Sequence, residues 1–399
     1  MIPHLFFAIH YLELGGAERS RIGLLRALDY SKVQVDLFVY SHRGELMKEI
    51  PQEVNLLPEI PEYAQIERPM KDVLKDGFWK IVLARLRAKW QFCRYRRKNH
   101  PKDGCAIFAY VAQNVTPLLP PINPKNEYDL AISYLAPHDI VLKKVRAKKK
   151  VCWIHTDYTT IDVNADLERP TWDGFNKIVS ISESVSNAFL TIFPSLKDKI
   201  ALFPNILSTG LVQEQSLAFD ATQEMPAEQG IVRLLSIGRY SHQKNFDNVP
   251  DICRRILHSG SNIRWYLIGF GGEEALIRQR IEDFGVKDQV ILLGKKENPY
   301  PYILACDVYV QPSRYEGSPV TIQEARALGK PVIATAFPTV DSVIQDGVNG
   351  VIVPLDNEGC AQGIIRVLQN PELQKRISGI HHEDLTENKS LTTIYEWTK

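Results

Sequence analysis

Short apolar runs alternate with helix-sized intervals twice along this chain, and this rhythm constrains the fold more than any other feature. The runs are short for helices and apolar throughout, so both faces of each should be buried. Buried strands separated by helices indicate parallel sheets covered by helices on both sides. The sequence therefore predicts an α/β protein with two doubly wound parallel sheets. The runs are 5–9, 33–39, 130–134, 151–154 and 178–181 in the first half, and 232–237, 265–268, 290–293, 308–310, 332–334 and 350–353 in the second.

A polar stretch between the two sets of runs marks the domain boundary. Residues 207–230 contain Ser-Thr-Gly, Gln-Glu-Gln-Ser and Met-Pro-Ala-Glu-Gln-Gly and show no sustained period. A chain of 399 residues is also long for a single core. We therefore expect an N-terminal domain over 1–208, a linker over 209–230 and a C-terminal domain over 231–399. The last helix is a candidate to cross back to the N-terminal domain.

Composition argues against several classes of protein. The formal net charge is +1, which offers no bulk attraction for nucleic acid. The six cysteines form neither a Cys-x-x-Cys pair nor a zinc-like spacing with histidine, as is typical of reduced thiols in the cytosol. The sequence contains no apolar run near the roughly 20 residues that span a bilayer, and residues 1–9 lack the basic leader of a signal peptide. We therefore expect a cytoplasmic protein that binds neither nucleic acid nor a metal.

Residues 77–102 depart from the α/β rhythm, because they combine helical periodicity with many basic residues and no acidic one. Two interpretations stay open. The helix could pack on its own domain with a solvated basic face. Alternatively, it could meet an anionic membrane or acceptor, since tryptophan and arginine together suit the membrane interface. The second interpretation predicts a peripheral protein at the inner face of the membrane. The apolar positions at helical spacing are Trp79, Val82, Leu83, Leu86, Trp90 and Cys93.

Two glycine-containing turns follow predicted strands. Gly15 and Gly16 lie between the first strand and a helical pattern, where glycine lets backbone amides approach an anion; a tight turn with positive φ is the alternative. Gly238 ends the first strand of the second domain, and Arg239 and Lys244 follow it. Because an open parallel sheet binds its ligand at this edge, the two cations are candidates for binding a diphosphate. Two unrelated surface cations are the alternative.

The most specific pattern is Tyr-Glu-Gly-Ser-Pro-Val-Thr-Ile-Gln-Glu-Ala at 315–325. Ser318 suits an N-cap and Pro319 the first helical position, so Glu316 precedes a helix and Glu324 projects from its second turn. The amides of a helix amino end favour an anionic or hydroxyl-rich group, and carboxylates accept hydrogen bonds from sugar hydroxyls. The pattern therefore predicts a site for a sugar or phosphate group, with a capped helix and incidental acids as the alternative.

These motifs together resemble the family 4 retaining glycosyltransferases of the GT-B fold. Residues 298–302 are similar to a subgroup concerned with capsule, lipopolysaccharide or other surface glycans. The resemblance covers nearly the whole chain and rests on Gly238-Arg239, Lys244-Asn245, Glu316-Gly317 with Pro319, Glu324-Ala325, and the segments 15–18, 180–184 and 267–271.

The resemblance implies two Rossmann-like domains that face a cleft, with the donor on the second domain and the acceptor on the first. It implies that Arg239 and Lys244 bind the donor diphosphate and that Glu324 binds the ribose. Glu316 would bind the transferred sugar. His155 matches the family's histidine at a strand end near the reacting sugar, with a satisfied strand-end histidine as the alternative. The other implied donor-binding residues are Gly15, Gly16, Gly317, Ser318, Pro319 and Val320.

The implied function is transfer of a sugar, with retention of configuration, from a nucleotide diphosphate donor to a lipid-linked or oligosaccharide acceptor of a surface polysaccharide. We expect a UDP-linked donor. The sequence lacks the Asp-x-Asp motif with which other glycosyltransferases hold a divalent metal, so Arg239, Lys244 and a helix terminus are expected to supply that charge without metal or cofactor. Two alternatives are a nucleotide-sugar 2-epimerase of the same fold, whose Ser-Gly-Gly-x-Gln-Glu-Glu motif residues 316–319 do not match, and a non-catalytic nucleotide- or glycan-binding protein.

Overall fold

Within the residues that the structure describes, the chain divides into two compact units, and each is built on a parallel sheet. Unit 1 comprises Met1–Ile206 and Asn388–Lys399, and unit 2 comprises Leu207–Glu387. The predicted α/β fold class, with two doubly wound parallel sheets, is confirmed. The computed structural model describes residues 2–13, 16–101, 103–207, 209–317, 319–379 and 388–399.

The described part of unit 1 contains a seven-stranded sheet. Its strands are β1 (His4–Ile9), β2 (Gln34–Val39), β3 (Asn55–Leu56), β4 (Tyr128–Ser133), β5 (Ala147–Ile154), β6 (Lys177–Ser180) and β7 (Ile200–Leu202). The order is β3-β2-β1-β4-β5-β6-β7, and neighbouring strands are parallel. Every strand predicted in the first half is present. The short edge strands β3 and β7 were not predicted, because two or three residues carry no periodic signal.

The helices of unit 1 lie between its strands in the sequence and cover the sheet. They are α1 (Gly16–Ala27), α2 (Pro61–Ala64), α3 (Met70–Lys75), α4 (Trp79–Asn99), α5 (Ile107–Val115), α6 (Asp139–Lys144), α7 (Ala165–Asp173) and α8 (Glu183–Ile192). The basic segment predicted over 77–102 forms α4. None of the described helices is both long enough and apolar enough to cross a membrane.

Unit 2 has a six-stranded parallel sheet in its described residues, with all predicted strands present. They are β8 (Val232–Ile237), β9 (Ile263–Ile268), β10 (Val290–Gly294), β11 (Val308–Gln311), β12 (Val332–Thr335) and β13 (Val351–Val353), in the order β10-β9-β8-β11-β12-β13. The helices are α9 (Thr209–Ser216), α10 (Val249–His258), α11 (Glu274–Asp283), α12 (Tyr300–Ala305), α13 (Val320–Ala327), α14 (Asn357–Leu368) and α15 (Pro371–Ile377).

Both faces of the unit 2 sheet are buried, which explains why its strands read as continuous apolar runs. Leu234 of β8 and Trp265 of β9 enter one hydrophobic cluster, whereas their neighbours Leu235 and Tyr266 enter another. Successive side chains of a strand point to opposite faces, so each strand contributes to both clusters.

Residues 209–230 differ from the linker predicted for them. Helix α9 lies in this segment, and Val212, Ala221 and Met225 are buried in a hydrophobic cluster of unit 2. Three apolar residues separated by polar stretches are too few to show a period in the sequence, yet they suffice to anchor the segment on its unit.

The last helix, α16 (Asn388–Trp397), belongs to unit 1 although it follows unit 2 in the chain. Trp397 packs edge-to-face on Trp153 of β5, with ring centroids 5.9 Å apart. The Tyr395 hydroxyl accepts a hydrogen bond of 2.9 Å from the backbone amide of Asp29. These contacts attach α16 to unit 1.

Candidate active site

The candidate site of unit 2 lies at the carboxyl ends of β8 and β11. These neighbouring strands flank the point at which the strand order reverses. Strand β8 ends at Ile237 and leads into Arg239 and Lys244, and β11 ends at Gln311 and leads into Glu316. Loops that diverge at such a reversal leave a crevice, and open α/β sheets bind their ligands there. The topology therefore brings together Lys244 and Glu316, which lie far apart in the sequence.

Lys244 and Glu316 form an ion pair that is mostly shielded from solvent. Lys244 Nζ donates to Glu316 Oε1 over 2.5 Å. The two side chains are 15% and 6% exposed. Removing one partner of a buried ion pair leaves the other charge uncompensated. The buried position of Lys244 therefore depends on Glu316, and that of Glu316 on Lys244. An ammonium carries three N–H donors, so Lys244 retains donors for a further anionic group.

Further hydrogen bonds hold the Glu316 carboxylate in one orientation. Ser313 Oγ donates to Oε1 over 2.6 Å, and Gln311 Nε2 donates to the same atom over 3.2 Å. Oε2 accepts a longer bond of 3.3 Å from Gln243. Thr339 Oγ1 donates to the backbone carbonyl of Glu316 over 2.8 Å. Carboxylate oxygens have room for several donors, so Oε2 can accept another hydroxyl.

The two loops that carry this pair are clamped together. Asn245, in the left-handed conformation with φ of 61°, donates from Nδ2 to the carbonyl of Pro312 over 2.9 Å. Arg314 donates to both carboxylate oxygens of Asp247, over 2.9 and 2.8 Å, and to the carbonyl of His242 over 2.6 Å. Bidentate arginine–carboxylate pairs are geometrically specific. The clamp therefore fixes the separation of the two loops.

Arg239 differs from Lys244, because it is exposed and its guanidinium bonds to none of the residues that the structure describes. Gly238 precedes it, and a second glycine, Gly269, approaches the backbone of Gly238 closely. A Cβ on Gly238 would lie 2.9 Å from side-chain carbons of Lys244, and one on Gly269 would lie 1.8 Å from the Gly238 carbonyl oxygen. Glycine at 269 therefore lets the β8 and β9 loops approach closely, whereas a side chain at 238 would displace that of Lys244. Gly317 lies in the β11 loop, ahead of α13.

Helix α13 begins one residue later than predicted, at Val320, and Pro319 is its N-cap. Pro319 has φ of −76° and ψ of 92°, and this extended ψ excludes it from the first helical turn. Glu324 is fully buried, and its Oε1 accepts a hydrogen bond of 2.9 Å from the Tyr300 hydroxyl. Ser318, predicted as the N-cap, lies outside the described residues.

His155 lies directly after β5 in unit 1, beside two other large polar side chains. Its ring centroid is 4.4 Å from that of Tyr134, and the Arg21 guanidinium lies 3.7 Å from the Tyr134 centroid. Burial, and next the charge of Arg21, lower the pKa of His155 to about 3, so its imidazole is neutral at physiological pH. Gly16 is the first residue of α1, and Gly15 lies outside the described residues.

The same edge of the unit 1 sheet contains buried polar atoms that have no hydrogen-bond partner among the residues that the structure describes. All three guanidinium nitrogens of Arg21, Nε2 of His155, Nε2 of His10 and the Tyr40 hydroxyl are of this kind. Burial also lowers the pKa of Arg21, to about 10. Unpaired buried polar groups are costly, and in native proteins they often mark a place completed by water or a ligand. Unit 1 therefore has a second polar region, at the carboxyl ends of its own strands.

Residues 223–380 match the family model described as glycosyl transferases group 1. The matched segment lies within unit 2. It contains Arg239, Lys244, Glu316 and Glu324, so the resemblance predicted from these motifs is confirmed.

Similar sequences carry names from surface-glycan synthesis. The lipopolysaccharide core biosynthesis glycosyltransferase LpsE of Rhizobium meliloti is 29% identical over 191 residues, which are 47% of this chain and 53% of LpsE. The amylovoran biosynthesis glycosyltransferase AmsK of Erwinia amylovora is 30% identical over 145 residues, which are 34% of this chain and 35% of AmsK. The chain thus matches about half of one curated relative and about a third of the other.

Solved structures match the fold over almost the whole chain. Anabaena HepE in complex with UDP and glucose has a TM-score of 0.65 at 16% identity, covering 99% of this chain and 97% of HepE. TarM has a TM-score of 0.66 at 14% identity, covering 99% of this chain and 98% of TarM. At these identities the likeness establishes the two-unit architecture.

Several residues around the candidate site of unit 2 were not predicted from the sequence. Asn245, Gln311, Ser313 and Arg314 orient the ion pair or clamp its loops, and Tyr300 bonds to Glu324. Asn245 and Tyr300 fall within motifs quoted for the family resemblance, which is the signal that could have identified them. Among the described residues, no group of three or more His, Cys, Asp or Glu side chains is arranged to hold a metal.

Proposed function

We propose that this protein is a retaining glycosyltransferase that moves a sugar from a nucleotide diphosphate donor, UDP-linked in our proposal, to a lipid-linked or oligosaccharide acceptor of a surface glycan. The observation that carries the proposal is the Lys244–Glu316 pair, oriented at the strand-order reversal of unit 2. The names of LpsE and AmsK support the glycan class, and the UDP and glucose in the HepE structure support the donor class.

In this proposal Arg239 and Lys244 bind the donor diphosphate. Arg239 contributes planar, bidentate donors from an exposed position, and Lys244 contributes the N–H groups that Glu316 does not use. As the bond between sugar and diphosphate breaks, negative charge grows on the departing phosphate. Preorganised cations stabilise that charge more than they stabilise the bound donor. No metal is required in this proposal.

Glu316 is proposed to bind hydroxyls of the transferred sugar, together with the backbone after Gly317. Its Oε2 accepts only the long bond from Gln243 within the described residues, so a sugar hydroxyl can be added. Glu324 is proposed to bind the ribose, which requires its buried carboxylate to be uncovered when the donor binds.

The acceptor is proposed to bind unit 1. The unpaired buried atoms of Arg21, His10, Tyr40 and His155 support this part of the proposal, because they provide donors and acceptors for a hydroxyl-rich or anionic group. The neutral imidazole of His155 can donate one hydrogen bond and accept another.

The experiment is incubation of the purified protein with a panel of nucleotide sugars, with and without glycan acceptors, followed by chromatography and NMR. We expect slow release of free nucleoside diphosphate without an acceptor and a glycoside of retained anomeric configuration with one. A rearranged sugar nucleotide would identify a 2-epimerase. Donor binding without any product would identify a binding protein. A glycoside of inverted anomeric configuration would contradict the retaining mechanism but not the transfer of a sugar.

A further inference from the structure

Helix α4 has two apolar faces, and only one of them is used inside unit 1. Ile81, Val82, Ala88 and Phe92 are buried, and Ala88 and Phe92 share a hydrophobic cluster with Tyr110 of α5. This face anchors the helix to its unit. An amphipathic surface helix needs no more than one such stripe.

The opposite face presents a second apolar stripe to solvent. Trp79, Leu83, Leu86 and Trp90 recur with spacings of four, three and four residues, which places them in one line along the helix. They are 54%, 55%, 46% and 58% exposed, respectively. Single exposed apolar residues are ordinary, but a contiguous stripe that includes two tryptophans marks an interaction surface. We call these four residues the outer stripe.

Basic side chains border the outer stripe on both sides. At about 100° per residue, Lys80, Arg87 and Arg94 fall along one border, and Lys89 and Arg96 fall along the other. All five are exposed. The helix contains no acidic residue, although the whole chain has a net charge of only +1. The cations are therefore concentrated around this stripe.

Two of the cations lie over the tryptophans of the stripe. Lys80 Nζ is 5.6 Å from the Trp79 ring, and the Arg94 guanidinium is 4.9 Å from the Trp90 ring. Arg85, in contrast, turns inward and donates to the carbonyls of Gln65 and Arg68. Long basic side chains that flank tryptophan can keep their charges at headgroup level while the rings enter the interface.

We propose that the outer stripe of α4 docks this protein on an anionic lipid surface, with the helix lying in the plane of the interface. Charge complementarity selects this partner, because the stripe combines bilayer-interface aromatics with cations on both borders and no acid. The docking surface belongs to unit 1 and is independent of the sugar-transfer chemistry proposed for unit 2.

The direct test is co-sedimentation of the full chain with vesicles of phosphatidylcholine alone and of phosphatidylcholine mixed with phosphatidylglycerol. We expect binding to the anionic vesicles only, weakened by added salt. Tryptophan emission should shift to shorter wavelength on binding, because Trp79 and Trp90 leave water. The double variant Trp79→Phe/Trp90→Phe should lose that shift.

Two sets of variants separate charge from apolar contact. Arg87→Gln/Arg94→Gln should weaken binding to anionic vesicles about fivefold for each charge removed. Leu83→Gln/Leu86→Gln should weaken it at least as much, since both leucines are expected to enter the interface. The matched control, Lys125→Gln/Lys197→Gln, removes two exposed cations of unit 1 outside α4 and should bind like the parent.

Equal binding to both kinds of vesicle, binding to neither, or unchanged binding by the α4 variants would overturn the proposal. Concentration-dependent dimerisation that the leucine variants abolish would assign the stripe to a second copy instead. Release of nucleoside diphosphate from a soluble donor, measured in parallel, should be unaffected by these variants. A failure of docking and a failure of the proposed transfer reaction can therefore be told apart.

Discussion

Glu316 and Glu324 lie on opposite sides of the α13 amino terminus, and their proposed roles predict different consequences of substitution. Glu324→Gln should weaken affinity for UDP by roughly 1 to 3 kcal/mol, because a charged hydrogen bond to the ribose is lost. Glu316→Gln should leave UDP affinity nearly intact and lower turnover, because a contact to the transferred sugar acts during the reaction. Calorimetric titration with UDP, beside initial rates with the donor, measures both effects.

Glu372→Gln, an exposed substitution in the same unit, serves as the control for lost negative charge. Thermal melting of each variant is needed as well, because Glu324 bonds to Tyr300 in the interior. A larger loss of UDP affinity in Glu316→Gln than in Glu324→Gln would reverse the proposed orientation of the donor. A fall in melting temperature without a change in UDP affinity would make Glu324 structural.

His138 predicts a pH dependence of stability in unit 1. Its Nδ1 is 2.8 Å from Ser133 Oγ, and burial is the main cause that lowers its pKa to about 3. The unfolded value is about 6.5, so protonation favours the unfolded chain. The associated stability is complete above about pH 6.5 and is lost as the pH falls toward 3. Between pH 7.5 and pH 5 the loss should be about 2 kcal/mol.

Denaturant unfolding at both pH values measures this slope. His138→Gln cannot titrate there, so its free energy of unfolding should fall about 2 kcal/mol less than that of the parent. His42→Gln, which replaces an exposed histidine of the same unit, is the matched control variant. Identical slopes for parent and His138→Gln would mean that His138 is not held neutral by burial.

At the scale of elements, two ion pairs link the β8 and β11 segments, one at the carboxyl ends of the strands and one at their amino ends. Arg314 and Asp247 lie beyond the carboxyl ends, beside the candidate site, with Nη2 and Oδ2 2.8 Å apart. Arg233 and Asp307 lie at the amino ends, with Nη2 and Oδ1 also 2.8 Å apart. The chain thus offers a matched comparison between a pair near the site and one distant from it.

Arg314→Ala should lower donor turnover as well as stability, because the clamp positions the loops of Lys244 and Glu316. A displacement of about 1 Å in a catalytic group can cost roughly a hundredfold in rate. Arg233→Ala should lower the melting temperature without changing turnover per folded molecule. Rates at a temperature where both variants are folded make the comparison, and equal effects on turnover would argue against a positioning role for the clamp.

At the scale of the whole molecule, the proposed chemistry predicts activity in the absence of divalent metal. Turnover should survive EDTA, whereas Lys244→Ala should lower it roughly a hundredfold, since loss of a preorganised charge donor costs on the order of 3 kcal/mol. Loss of activity in EDTA with recovery on addition of Mg²⁺ would contradict the metal-independent part of the proposal. The melting temperature of Lys244→Ala must be followed too, because the variant leaves Glu316 buried without its cation.

Local sequence determined the two sheets, the basic helix and the motif that precedes α13. Strands buried on both faces must be apolar along their length, so a few consecutive residues suffice to predict β1, β2, β8 and β9. Edge strands such as Asn55–Leu56 need not be apolar along their length, so they have no recognisable pattern in the sequence. The start of α13 was predicted to within one residue, because Pro319 restricts the backbone at and just before its own position.

Tertiary structure alone decided which groups meet. The periodicity of α4 did not reveal that Ile81 is buried while Trp79 and Leu83 face solvent, because a helix with two apolar stripes has no single polar face to orient it. The clamp of Asn245 and Arg314 and the burial of Glu324 against Tyr300 depend on loops brought together by strand order. Contacts between segments that lie far apart in the chain carry no local pattern, so only the folded sheet specifies them.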